Sequence, residues 1–200
     1  VDQSSTSAYW EGELSLKPKL RATTSLRYDY FDFDVTALAA GDASALQANT
    51  GTSDDDLVTG SLSLSYAVDD RLEFYASIGQ GFHSNDARGV ISARDPVSGE
   101  AIDAADPLVK TQGSEIGARL FLTERLNASL ALWQLDIDSE LLFVGDAGNT
   151  EDTGVGSERQ GVELTGYYQF AEMWSLDLEY AYADSTFATP VDGFQISLAH

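Results

Sequence analysis

The feature that most constrains this chain is a strict alternation of apolar and small polar residues. Val58, Gly60, Leu62, Leu64, Tyr66 and Val68 fall on one parity, and Thr59, Ser61, Ser63, Ser65 and Ala67 on the other. A period of two is the pleat of a strand with unlike faces, and no helix presents it. Past the turn residues Asp69-Asp70, Leu72, Phe74, Ala76, Ile78 and Phe82 alternate with Glu73, Tyr75, Ser77, Gly79 and His83. Trp174, Leu176, Leu178, Tyr180 and Tyr182 alternate in the same way with Ser175, Asp177, Glu179, Ala181 and Ala183. No stretch reads as a convincing helix. The alternation predicts an all-β, antiparallel chain with strands near 7–17, 19–34, 57–68, 71–84, 109–122, 125–143, 157–170 and 174–188. In the sixth, the apolar face Leu126, Ala128, Leu130 and Leu132 passes to Trp133, Leu135 and Ile137. A β-bulge near Trp133 would produce that switch.

The connections alternate in length. Lys17-Pro18-Lys19, Asp69-Asp70, Thr123-Glu124 and Ala171-Glu172-Met173 are tight turns. The stretches 35–56, 85–108 and 144–156 are long polar loops. Short turns at one end and long loops at the other are the layout of an outer-membrane barrel, with turns in the periplasm and loops outside. Strand length favours the same reading, since segments of about 12–16 residues exceed both the usual 5–6 and the 9–11 that span a bilayer. Such strands rise beyond the membrane. Trp10, Tyr28, Tyr30, Tyr66, Phe170, Trp174, Tyr180 and Tyr182 lie near strand ends, as interfacial girdles require. Polar faces such as Arg159, Gly161, Glu163, Thr165, Tyr167 and Gln169 suit a wet lumen. They suit the solvent side of a sandwich equally. No run of 18 apolar residues exists to cross a bilayer as a helix.

From Tyr75 to Tyr182 a series of motifs resembles the barrels of TonB-dependent outer-membrane receptors. Tyr75-Ala76-Ser77-Ile78-Gly79-Gln80-Gly81-Phe82 looks like the family's Tyr-x-Ser-x-x-x-Gly-Phe strand. Asp106-Pro107-Leu108 leading to Glu115-Ile116-Gly117 is similar to its Asn-Pro-x-Leu-x-Pro-Glu segment and the strand after it, with Asp for Asn and without the Pro-Glu. The run from Asp136 to Gly148 is similar to a strand and loop of a proteobacterial branch, and Arg159-Gln160-Gly161-Val162-Glu163 to the family's Arg-x-Gly-Val/Ile-Glu strand. The resemblance implies a 22-strand barrel around an N-terminal plug. Residues 1–200 are then expected to be part of that barrel, about eight strands, with the plug, TonB box and terminal strands absent. Eight strands are also enough to close a small barrel. Implied partners are a small-molecule or metal-chelate ligand, the inner-membrane TonB complex acting through the plug, and outer-membrane lipid.

Chemistry in the chain is sparse. Lys and Arg number 11 against 33 Asp and Glu, a net charge of −22 that repels phosphate backbones and argues against nucleic acid. Cysteine is absent, so thiol catalysis and Cys-ligated zinc are excluded. His83 and Asp86 lack a nucleophile motif, and Gly79-Gln80-Gly81 precedes no helix as a dinucleotide loop would. No catalytic residue, metal site or cofactor is expected. His83, Asn85, Asp86 and Arg88 lie where a strand leaves the membrane for the outer mouth. They are candidates for touching an entering ligand or, more plainly, for anchoring the loop base. Asp136, Asp138 and Glu140, with Arg159, are expected to form a polar patch in the upper lumen. Asp54-Asp55-Asp56 reads as a solvated charge run, because it lacks the order of a calcium loop. The expected function is import of a scarce solute, by default an iron-siderophore complex. A passive porin and a soluble exported β-sandwich adhesin are the alternatives.

Overall fold

The computed structural model describes residues 1–38, 43–139, 141–144, 149–152 and 155–188. Eight strands form one antiparallel sheet in the order β1-β2-β3-β4-β5-β6-β9-β10. They are β1 (Asp2–Lys17), β2 (Leu20–Val35), β3 (Gly51–Ala67), β4 (Leu72–Ser84), β5 (Leu108–Thr123), β6 (Leu126–Ile137), β9 (Ser157–Ala171) and β10 (Trp174–Phe187). β7 (Leu141–Val144) and β8 (Asn149–Asp152) make a separate hairpin between β6 and β9. β1 and β10 are the two edges, so the sheet is an open wall.

The tight turns have local causes. Asp69 Oδ1 accepts from the backbone N–H of Arg71 at 2.8 Å and of Leu72 at 3.0 Å, and the Lys19 ammonium donates to the Val68 carbonyl. Thr123 Oγ1 accepts from Arg125 N–H at 3.1 Å. At the opposite end lie the two long loops. One carries α1 (Ala43–Ala48), the other α2 (Ala87–Ile91). They meet through Asn49, which is buried. Its Oδ1 accepts from Ala93 and Arg94 N–H, both at 3.0 Å, and its Nδ2 donates to the Arg94 carbonyl at 2.7 Å.

The two faces of the sheet exchange character with height. Over the lower part, the even-numbered face is apolar and exposed: Leu62, Leu64, Phe74, Ile78, Ile116, Leu130, Leu132, Leu164 and Leu178. The odd-numbered face there carries Ser61, Ser63, Glu73, Ser77, Glu115, Arg119 and Glu163. Higher up the assignment inverts. The even face becomes Asp32, Asp54, Asp56, Gln80, Gln112, Gln134, Gln160 and Asp184, aligned by the ladders. The odd face becomes Phe31, Phe33, Val35, Leu57, Val109, Leu135 and Ile137. Phe33 is fully buried and packs with Val35, Ala87 and Val90, with Phe31 and Ile91 against them. From Val58 to Tyr66 the apolar face rises about 27 Å along the strand. For a strand tilted by about 40° that is about 21 Å of height, close to the ~25 Å lipid-facing band of an outer-membrane barrel. The even face is therefore the lipid side below the switch and the water side above it.

Four expectations are corrected. β3 begins at Gly51 rather than 57, so Asp54, Asp55 and Asp56 are strand residues opposite Asp32, Phe31 and Tyr30, not a loop. No bulge lies near Trp133, because Glu115, Trp133 and Gly161 stay in register on both sides. The apolar pattern changes face there because the surroundings change from lipid to water. The sixth strand ends at Ile137 instead of 143, and Leu141–Val144 belongs to the small hairpin. The long loops also hold two short helices that the alternation did not reveal.

One further departure shapes the upper wall. β3 and β4 pair only from Ser61↔Gly79 to Ala67↔Glu73. Above that row β4 leans inward: Phe82 meets Phe31 edge-on with centroids 5.7 Å apart, and Gln3 Nε2 of β1 donates to Ser84 Oγ at 3.3 Å.

Candidate functional site

The rim at the loop end brings three of the four mouth candidates into one anchored corner. Asn85 follows the last residue of β4 and is almost fully buried. Its Nδ2 donates to the Asp106 carbonyl at 2.7 Å, and its backbone N–H donates to the Pro107 carbonyl at 3.0 Å. The start and end of loop 85–107 are thereby tied together. Asp86 caps α2. Its Oδ1 accepts from Arg88 N–H at 2.8 Å, while the Arg88 guanidinium grips both carboxylate oxygens at 2.9 Å. That side-chain bond holds the Asp86 carboxyl below the usual carboxylate range. Arg88 stays largely exposed at the mouth. His83 stands on the inner face of β4 opposite Val109. Past α2, the Asp95 carboxylate accepts from the backbone N–H groups of Ser98 and Val97 and from the Ser98 hydroxyl, which lowers its pKa in that order of cause. Gly99 closes this turn at φ 74°, a backbone state L side chains avoid.

The upper-lumen group divides. Arg159 lies on the inner face, opposite Leu135 and Ser185. Asp136 lies on the other face, opposite Gln112 and Glu158 and within 3.5 Å of Gln134 Nε2, which also donates to Glu158 at 3.1 Å. Its expected luminal position is corrected. The sequence argument treated polar residues as luminal at every height, whereas above the membrane the outer face is the polar one. Asp138 is exposed just beyond β6, its N–H on the Lys110 carbonyl at 3.0 Å. Glu140 lies outside the described residues.

Sequence reasoning missed a charge ladder across the lower inner wall. Glu73 accepts from Arg21 of β2 at 3.1 Å and from Arg119 of β5 at 2.9 Å, and Arg21 reaches Glu13 of β1 at 3.8 Å. Arg119 also sits 4.3 Å from the centre of the Tyr75 ring. Higher, Arg27 grips Asp29 bidentately at 2.7–3.0 Å, with Asp29 buried. The signal was present as charged residues of both signs on one parity of neighbouring strands, but only the register brings them together. Glycine shapes the same wall. A Cβ on Gly117 would lie 2.5 Å from the Tyr75 ring, and one on Gly161 would lie 2.6 Å from Trp133, so both aromatics lie flat against the sheet.

A sheet with a lipid-facing belt below, a water-facing collar above and an ordered rim of long loops defines the wall of an outer-membrane β-barrel. The family profile for the TonB dependent receptor-like β-barrel matches residues 1–198, and the chain belongs to that family. Its barrels are proteins of the Gram-negative outer membrane. Among solved structures, the copper transporter OprC superposes with a TM-score of 0.72 at 21% identity, covering 91% of this chain and 29% of that one. The ferric yersiniabactin uptake receptor FyuA from Yersinia pestis gives 0.67 at 20%, covering 92% and 27%. The alcaligin receptor FauA from Bordetella pertussis gives 0.61 at 20%, covering 93% and 31%. The chain thus spans under a third of the length of these structures. No curated protein sequence matches it.

Proposed function

We propose that this chain is the barrel-wall portion of a receptor that imports a scarce solute across the outer membrane, by binding and transport rather than catalysis. The ordered rim is the observation that carries this reading: two long loops joined at Asn49, the second of them seated on a core around Phe33, above a lipid-facing belt. On this reading the cargo lands among rim side chains, with Arg88, anchored by Asp86 yet exposed, and the half-buried His83 the first candidates to touch it. The inner-membrane TonB complex supplies energy through a plug domain outside this chain.

For the cargo itself we favour a ferric siderophore. Receptors named for yersiniabactin and alcaligin share the fold, and the copper transporter keeps a bare metal ion as the rival. Uptake of radiolabelled ferric chelates and of copper by a deletion strain carrying the full-length receptor tests this. Iron uptake that stops when TonB is removed and falls with Arg88→Ala supports the proposal. Copper uptake without iron uptake rejects the siderophore, and uptake independent of TonB rejects the receptor.

A further inference from the structure

The separation of β3 from β4 leaves a strand edge that is free where β3 rises above the lipid-facing band. β3 runs on from Ser61 to Gly51 with β2 on one side throughout. On the other side its ladder stops at Gly79, because the rest of β4 stays with β5 and leans inward onto Phe31 and Gln3. Among the described residues, no backbone group of any other segment pairs with that side of Gly51–Leu57. Asp56 gives the direction of its donors: the Asp56 N–H is met by the Asp55 carboxylate at 2.9 Å. Backbone groups of alternate residues point the same way in an antiparallel strand. Thr52, Asp54 and Asp56 therefore turn their N–H and C=O groups to the open side above the lipid-facing band. Unpaired edges of this kind template the addition of another strand.

The charge along the edge selects the occupant. Asp54 and Asp56 share the outer face with Asp32 and Asp34 of β2, and Asp32 stands directly opposite Asp54. No Lys or Arg occurs between Gly51 and Gly60. We propose that the upper edge of β3 is a docking site for an extended basic segment of another protein, which joins the sheet as a strand beside Gly51–Asp56. Its main chain continues the ladder, and its Lys or Arg side chains meet the aspartates. A second copy of this chain is the wrong occupant, since edge-to-edge pairing sets like charges against each other.

The test uses the full-length receptor in lipid nanodiscs and a fluorescent peptide alternating Lys with Val. Fluorescence anisotropy should report binding that weakens when salt is raised roughly tenfold, as surface charge pairing does. Methylating alternate peptide nitrogens, which removes the ladder donors and keeps the charge, should abolish it. Thr52→Pro deletes an edge N–H that β2 does not use. It should also abolish binding while the barrel keeps its heat-modifiable band on a gel. Equal binding of the methylated peptide would overturn the proposal in favour of plain charge attraction. Equal binding of a Glu-for-Lys peptide would overturn the choice of a basic partner. No binding at millimolar peptide, or receptor pairs cross-linked through this edge, would overturn the site. None of these outcomes depends on the cargo of the receptor.

Discussion

Up to Val58 on β3 and Ile78 on β4, this sheet is built like a membrane protein; above those residues, the same strands are built like a soluble one. In the lower part Leu62 and Leu64 are 44% and 40% exposed, which water would not tolerate across a whole face and lipid requires. In the upper part Phe33 is 0% exposed, and Asp32, Asp54 and Asp56 stand on the outside. The strands do not change; the solvent does. Which face of a strand is apolar is therefore set by height as well as parity. An isolated membrane-barrel wall gains nothing by burying its lower inner face, but the upper collar carries its own small core.

The comparison breaks most visibly at Phe33. Phe33→Ala removes the largest side chain of the collar core and should cost about 3–5 kcal/mol there. In the full-length receptor, limited proteolysis should then cut loop 85–107 while the heat-modifiable barrel survives. If the barrel itself is lost, the collar is not a separate layer of stability. Next in size is the lipid face. Leu64→Arg near mid-membrane should cost about 2–4 kcal/mol and lower the yield of folded receptor in the outer membrane. Ser63→Arg, one residue away on the luminal face, should be far milder. Equal losses for the two would contradict the assignment of faces.

The smallest effect sharpens the comparison through pH. The Asp86 carboxyl is held below its ordinary range in the folded rim by Arg88. Its support of α2 is complete above the unfolded value, near pH 4, and is lost as pH falls through the lower folded value. Amide exchange at Val90 and Ser92, whose N–H groups close α2 onto Asp86 and Arg88, should quicken only in that acidic window. Asp86→Asn should remove the dependence.

How much of this was readable beforehand follows from the same contrast. Strands and tight turns below the switch were legible because alternation and turn residues agree there. The upper part of β3 was not. Gly51-Thr52-Ser53-Asp54-Asp55-Asp56 has poor strand propensity, and only its pairing with β2 makes it a strand. The sixth strand misled for a related reason. Trp133, Leu135 and Ile137 imitate a bulge when a single solvent is assumed for both faces. At the mouth, Asn85 and Asp86 were identified by position, and the structure shows them anchoring the loop. The Glu73 ladder and the Asn49 clamp stayed hidden because their partners lie on separate strands or loops, beyond the reach of local pattern.

Asn49 constrains how such a rim can diversify. Its side chain is the shared fastener of two loops, satisfying two backbone donors and one acceptor of the other loop at once. Exchanging loop 36–50 alone for that of a relative strands those groups, at about 1–3 kcal/mol for each one left buried. Insertions and deletions are expected to accumulate away from this contact, at the turn of Asp95 to Gly99, where nothing from the other loop is attached among the described residues. A chimera that transplants both loops together should fold where either single graft fails.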